Sequence, residues 1–400
     1  MKPYFILNYR EKNFAMLSGY PRMNGRIGAR NHVAIIPTVG CANDFIQKIR
    51  QNVPGTVPIL HHQGCAQLKP DLEQVTRTLI GLGVNPNVAA VLVVSLGCES
   101  VSPQEVVDGI AASGKPVALL SLQEEGGFTK ALRKGIDVAT RMCVEANAQE
   151  RKSFALEDLV LGIKCGASDT TSGLVSNTVV GFVVDKVVDA GGTVIFGETT
   201  EIIGAEHILA KRAVNQHVAK RVYEVVERME AKAKAMGVDM RGSQPTGGNI
   251  RGGLTSIEEK SLGAIVKGGS RPLQGVLEYG EQPSGHGLYF MDSPGMEIVY
   301  LTGPAAGGVQ ALLFSTGLGA PQGFPLYPVI KICGNERTVS HLAEHIDVDV
   351  STLLRGEETL EEAGNRLFTE LVSVISGKKT KAEALGLDGT VDIYTWGSFI

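Results

Sequence analysis

The sequence predicts an α/β protein of two Rossmann-like, mostly parallel domains, with glycine-rich loops forming a site between them. Three observations carry this expectation. Through the first half, β-branched runs alternate with amphipathic stretches, the pattern of an open, doubly wound sheet. The 49 glycines cluster in short motifs at the ends of those runs and do not recur at a fixed period. A segment rich in Gly, Pro and Ser, 237–287, then precedes a second strand–helix series. The domains are therefore expected at 1–236 and 237–400.

The first strand is the run 32–39, ending at Gly40-Cys41. A second, 57–61, ends in Gln63-Gly64-Cys65, and a third, 88–96, in Gly97-Cys98-Glu99. The fourth, 116–122, ends in Gln123-Glu124-Glu125-Gly126. The fifth and sixth, 159–164 and 193–196, end in Cys165-Gly166 and Gly197-Glu198. Amphipathic helices fit 74–82, 103–112 and 128–147, and 205–236 reads as one long helix closing the first domain. In the second domain, strands are expected near 288–291, 311–314 and 329–332. The tail reads as helical from Thr338 and ends in a strand-like piece, 391–400.

Composition narrows the function. With 43% apolar and 20% charged residues the chain suits a soluble globular protein. A net charge of −4 and no dense Lys/Arg tract argue against a nucleic-acid partner. No apolar run approaches the roughly 18 residues needed to span a bilayer, and the start, 1–13, carries no signal pattern. A cytoplasmic protein is expected. Its six cysteines should then stay reduced, as core thiols or metal ligands.

The informative feature is position. In open parallel sheets, ligands bind beyond the carboxyl ends of the strands. Cys41, Cys65, Cys98 with Glu99, Glu124 with Glu125, Cys165 and Glu198 all follow expected strands, so one edge should collect thiols and carboxylates. Cys65, Cys98 and Cys165 could form a three-thiolate metal site, with His61 beside the first of them. The stretch Glu198-Thr-Thr-Glu201-Ile-Ile-Gly204-Ala-Glu206-His207 is dense in acid and imidazole. It suits acid–base work, metal ligation or a helix start whose acids meet the macrodipole. In the loop from Cys165 to Gly173, Ser168, Asp169 and Ser172 can cap a helix and also bind an anion at its start. The loop from Thr246 to Lys260 offers Asn249, Arg251 and Lys260 as carboxylate contacts. Thr302 and Thr316 head two further glycine loops. Neither GxGxxG, nor a Walker sequence, nor a GxSxG elbow occurs, which argues against nucleotide binding and serine hydrolysis.

These motifs, taken in order, resemble the family of altronate and galactarate dehydratases and the large subunit of sulfolactate sulfo-lyase. The likeness begins at Gly19-Tyr-Pro-Arg22-Met-Asn-Gly25-Arg26-Ile-Gly28-Ala-Arg30-Asn31. It continues through His61-x-x-Gly64-Cys65, Gly97-Cys98-Glu99, Cys165-Gly-x-Ser168-Asp169-x-x-Ser172-Gly173 and Gly204-Ala-Glu206-His207. It extends to Gly248-Asn249-x-x-Gly252-Gly253-x-Thr255-x-x-Glu258-x-Lys260. The resemblance implies a lyase that eliminates water or another β-substituent from a small 2-hydroxy acid, giving a 2-keto acid. It implies a divalent metal, Fe(II) or Mn(II), with a three-cysteine iron–sulfur cluster as the alternative.

On this basis His61, Glu99, Glu198, Glu206, His207 and Lys260 are candidate catalytic residues. Arg26, Arg30, Ser168, Asp169, Ser172, Asn249, Arg251, Thr302 and Thr316 are candidate substrate contacts, and Cys65, Cys98 and Cys165 candidate metal ligands. Only about 18 residues precede the Gly19 motif, where the family's dehydratases carry a small SAF-type domain. A separate small SAF subunit is therefore an expected partner, in a homo- or hetero-oligomer. A non-catalytic protein that senses a small acid is the competing reading.

Overall fold

A computed structural model describes residues 16–397. The stretch 1–13 and the last three residues of the expected terminal strand lie outside the described residues. Strands are numbered in chain order. β1 (Leu17–Pro21) and β2 (Ile27–Gly28) form a small antiparallel sheet with β7 (Lys152–Phe154). β3 (His32–Pro37), β4 (Thr56–Pro58), β5 (Val88–Ser95) and β6 (Val117–Ser121) make a parallel four-stranded sheet, ordered β4-β3-β5-β6. A parallel seven-stranded sheet holds β8 (Val160–Gly166), β9 (Thr193–Gly197), β10 (Leu273–Leu277), β11 (Gly287–Met291), β12 (Ala311–Thr316), β13 (Val329–Cys333) and β14 (Val348–Asp349). Its order is β10-β11-β9-β8-β12-β13-β14. All eight residues of β5 are buried, as a parallel strand covered on both faces requires.

One apolar cluster lies between the two parallel sheets. It joins Ala34, Val91 and Val93 of the smaller sheet to Ile195, Leu312 and Phe314 of the larger. Two other clusters cover the outer faces. Buried amides join the two units. Asn85 Nδ2 donates to the carbonyls of Ala305 and Val309, and Asn87 Nδ2 to those of Gln310 and Leu326. Helix Lys69–Val84 packs on helix Glu297–Ala306 at Gly81, where a Cβ would come within 2.6 Å of the Ala306 carbonyl oxygen.

Several expectations are corrected. The strand ends expected along one edge belong to two sheets. After β6 and helix Phe128–Asn147 the chain pairs β7 with β1, and β8 then starts the second sheet. Strands from both sides of residue 237 share the seven-stranded sheet, and the two parallel sheets part between β6 and β8. The helix expected at 205–236 is two, Glu206–Lys211 and Gln216–Ala235. Asn215, in extended backbone, restarts it by accepting a hydrogen bond from Val218 N. The terminal piece 391–397 pairs with no strand. It is held as a strap by Gln63 and Gln74, which donate to the carbonyls of Ile393 and Tyr394, and by Asp71, which accepts from Trp396 N and Gly397 N.

β8 and β12 are neighbours, yet the chain leaves β8 toward β9 and leaves β12 toward β13, in opposite directions. The crevice beyond their carboxyl ends is a topological switch point, where this architecture places ligands.

Candidate active site

At that edge the chain buries a cluster of charges. Cys165 is the penultimate residue of β8, Glu198 follows β9 directly, and Glu201 closes the next 3-10 turn. The Cys165 thiol donates to Glu201 Oε2 at 2.8 Å. Lys267 Nζ lies 2.9 Å from Cys165 Sγ, 2.8 Å from Glu198 Oε2 and 3.4 Å from Glu201 Oε2. From β8, Lys164 Nζ donates to Glu198 Oε1 and, at 2.9 Å, to the Cys165 carbonyl. Lys260 Nζ sits 3.4 Å from Glu201 Oε1, at the cluster's outer rim.

Glu198 adopts φ +72°, a left-handed conformation that costs a non-glycine residue roughly 1 kcal/mol or more. The register that brings its carboxylate between the two lysines outweighs that strain. Among the described residues the other non-glycine positions with positive φ are Ala167 and Ala66. Ala167 is two residues beyond Cys165.

Electrostatics explain how the cluster survives burial. Burial opposes ionisation of Glu201, but Lys267, Lys260 and Lys164 outweigh it and hold its carboxyl at about 2. Burial likewise disfavours both inner ammoniums. For Lys164 the carboxylates of Glu198, Glu201 and Glu297 outweigh it and keep the amine charged. For Lys267 the balance is carried by Cys165, Glu198 and Glu201. Burial first, and Glu201 next, push the Cys165 thiol up, so it stays protonated and serves as a donor.

A cavity of about 330 Å³ opens beside the cluster. Lys260 lines it together with Ser168, Asp169, Ser172, Asn177 and Glu259. The loop after β8 is fixed by Asp169, whose Oδ1 accepts from Ser172 N (3.0 Å), Ser172 Oγ and Thr171 Oγ1. Asp169 Oδ2 accepts from Asn335 Nδ2 at 2.6 Å. Asn249 Nδ2 donates to the Ser168 carbonyl, tying the 246–251 loop to the same wall. Thr316, at the end of β12, accepts from Gly319 N and Ala320 N and shapes the facing turn.

Among the described residues, the thiol, carboxylate and imidazole group able to hold a metal ion is Cys165, Glu198 and Glu201, whose ligand atoms lie within 4.8 Å of one another. Cys65 and Cys98 are not part of it. Both are exposed, beyond strands of the other sheet. Ser100 N and Val101 N donate to the Gly64 carbonyl and draw their two loops together.

The remaining candidates lie elsewhere or carry structural bonds. His61 is buried; its Nδ1 accepts from Gln63 N and its Nε2 meets the Pro37 carbonyl at 2.7 Å. Burial holds it at about 4, in the neutral form. Glu99 folds back onto Thr38 Oγ1, Leu96 N and Gly97 N. Glu206 accepts from Gly204 N and pairs with Arg241 at 3.2 Å, while His207 is exposed. Arg30 clamps Glu383 through two nitrogens and donates to the Val374 carbonyl. Arg26 borders a cavity near Val160 and Thr193, at the amino ends of β8 and β9 and so at the far edge of the sheet. Thr302 Oγ1 donates to Ile298 O inside its helix. Arg251 lines a second cleft beyond Asp169.

Sequence reading missed Lys164 and Lys267. Each is a lone charge in an apolar run, and burying an ammonium is costly without a partner. That cost is the available signal, and it points to distant carboxylates without naming them.

The comparisons agree with this architecture. Residues 156–397 match the family model "D-galactarate/Altronate dehydratase, C-terminal". Residues 19–147 match "D-galactarate dehydratase/Altronate hydrolase, second domain". The interval between them coincides with the interval between the two parallel sheets. The chain is 44% identical over 373 residues to (2R)-sulfolactate sulfo-lyase subunit beta of Chromohalobacter salexigens, covering 92% of this chain and 94% of that one. It is 34% identical over 397 residues to galactarate dehydratase (L-threo-forming) of Escherichia coli, covering 94% and 76%. It is 31% identical over 394 residues to altronate dehydratase of Bacillus subtilis, covering 95% and 78%. The name of the first relative implies that it works with another subunit. Among the described residues no helix is long and apolar enough to cross a membrane. The chain belongs to the D-galactarate/altronate dehydratase family, and its relatives' names make it a family of lyases.

Proposed function

We propose that this chain catalyses β-elimination from a small 2-hydroxy carboxylic acid, sulfolactate or a sugar acid, with Fe(II) held by Cys165, Glu198 and Glu201. One observation carries the reading: Lys260, 3.4 Å from Glu201 at the rim of the buried thiol–carboxylate–lysine cluster, also lines a substrate-sized cavity of about 330 Å³ at the carboxyl edge of the sheet. One thiol and two carboxylates within 4.8 Å would suit Fe(II), with Mn(II) next, once the ion took the place of the Lys267 ammonium and Cys165 gave up its proton to bind as thiolate. Bound there, a divalent ion would supply Lewis-acid polarisation of the substrate's carboxylate and α-hydroxyl.

The chain's own groups do the rest. Lys260, which faces both Glu201 and the cavity, transfers a proton at Nζ. Lys164 and Lys267 bind the Glu198 carboxylate and, with Lys260, keep Glu201 ionised in a dry setting, where fixed charges act most strongly. Ser168, Ser172 and Asn177 line the cavity and orient the substrate. A separate small subunit, as the name of the sulfo-lyase relative suggests, completes the enzyme.

The test is anaerobic metal analysis followed by keto-acid and sulfite assays on sulfolactate, galactarate and altronate, with a co-expressed small subunit. Elimination of one of them, lost in Lys260→Ala and Cys165→Ala, is expected. No elimination from any of the three by the iron-loaded complex would refute the reading.

A further inference from the structure

Three of the six cysteines are exposed, and all three stand at one edge of the four-stranded sheet. Cys41, Cys65 and Cys98 lie on the loops after β3, β4 and β5. Free cysteine is among the most buried residue types, so packing does not explain three exposed thiols on neighbouring loops. This edge is a switch point of its own. With the order β4-β3-β5-β6, the chain leaves β3 toward β4 and leaves β5 toward β6, in opposite directions. Cys41 and Cys98 follow the two strands that flank the crevice, and Cys65 follows the strand beside β3.

The three loops are locked together. Each cysteine directly follows a glycine that presses on a neighbouring loop. A Cβ on Gly40 would lie 2.9 Å from the His61 carbonyl oxygen, one on Gly97 2.5 Å from Gln123 Oε1, and one on Gly64 would overlap the Thr38 carbonyl. Gly40 N donates to the Gln63 carbonyl and Ser100 N to that of Gly64, both at 2.9 Å, which ties the β4 loop to its two neighbours. Ala66, directly after Cys65, has φ +53°. Left-handed residues of this kind shape the backbone concavities in which anionic iron–sulfur centres sit. The Glu99 carboxylate, next to Cys98, is taken up by Thr38 Oγ1, Leu96 N and Gly97 N, so it does not compete with the thiols.

Thiolates are soft donors that select zinc, copper(I) and iron–sulfur centres. A single ion needs its donors close together, and among the described residues the group that meets this need is Cys165, Glu198 and Glu201. A cluster spreads its cysteine ligands over several irons and so accommodates the wider spacing of three separate loops. We propose that Cys41, Cys65 and Cys98 hold a four-iron, four-sulfur cluster at this edge, with the fourth iron free of cysteine. On ligation each thiol gives up its proton and binds as thiolate. The cluster expected at Cys65, Cys98 and Cys165 thus loses Cys165, which belongs to the other sheet, and gains Cys41. This site does not rest on the lyase reading.

The test is anaerobic reconstitution of the full chain with ferrous iron and sulfide, then desalting. Iron and acid-labile sulfide are assayed, and electron paramagnetic resonance is recorded after dithionite reduction. About four iron and four sulfide per chain are expected. Cys41→Ser, Cys65→Ser and Cys98→Ser should each retain roughly tenfold less sulfide, whereas Cys165→Ser should load fully. The three side chains are exposed, so these variants should fold, and circular dichroism checks this. In the wild type, loading should shield the same three thiols from alkylation, mapped by mass spectrometry, a readout that needs no variant. Iron bound without sulfide, or no iron retained, overturns the assignment. A cluster lost in Cys165→Ser and kept in the other three variants also overturns it. A chain that loads the cluster but eliminates none of the acids leaves this site standing and takes down the lyase reading, so the two failures are distinct.

Discussion

Lys267→Met isolates the logic of the buried cluster. The change keeps most of the side chain's volume and removes the ammonium that Cys165, Glu198 and Glu201 share. Breaking a buried pair by removing one partner costs about 3–5 kcal/mol, because the other charge is left unpaired. Linkage gives a similar figure. A carboxyl held at about 2 against an ordinary 4.5 carries on the order of 3 kcal/mol of stability. The sign follows from the depressed value. This stabilisation is fully present above pH 4.5 and is lost as pH falls toward 2. Urea denaturation of wild type and variant should therefore differ by about 3–5 kcal/mol near pH 7 and converge as pH falls below about 4.5. Adding Glu198→Gln to the variant should recover part of the loss, since it removes a stranded charge. A gap that stays constant down to pH 3, or no gap at pH 7, would refute the claim that Glu201 is ionised and held by Lys267.

Thiol titration checks the placement of the cysteines. In the folded protein Cys41, Cys65 and Cys98 should react promptly with an aromatic disulfide, whereas Cys165 and Cys333 should react only on unfolding. Rapid labelling of Cys165 would contradict its burial. Arg30→Lys should lower stability by about 2 kcal/mol through loss of the two-pronged contact to Glu383, measured by denaturation, with KM unchanged. A raised KM at unchanged stability would return Arg30 to substrate binding. Asn215→Ala should cost about 1 kcal/mol by removing the cap of helix Gln216–Ala235, and a neutral result would count against that cap.

The site was legible in the sequence to the extent that it follows from strand ends. Cys165 and Glu198 stand where alternating β-branched runs stop, and Lys260 stands in a polar loop entering a helix. The same rule misplaced Cys65 and Cys98 because it does not say which sheet a strand joins. That choice was made by β7, a three-residue strand too short to carry a periodic signal. The break at Asn215 was hidden inside a continuous amphipathic pattern, since a capping asparagine and a mid-helix asparagine look alike along the chain. Lys164 and Lys267 lie 34 and 69 residues from the glutamate they share. No local pattern links residues so far apart.

Two cationic arrangements at the carboxyl edge of one sheet then divide the work by burial. Lys164 and Lys267 are enclosed and matched to the carboxylates of Glu198 and Glu201, so their charge is spent inside the protein. Arg251 and Arg337 are exposed and make no ion pair among the described residues. Lys260 stands between, partly shared with Glu201 and partly facing the cavity. At the switch point, compensation of charge thus increases from Lys260 at the cavity to Lys164 and Lys267 in the interior. Fixed charges act most strongly in that dry interior.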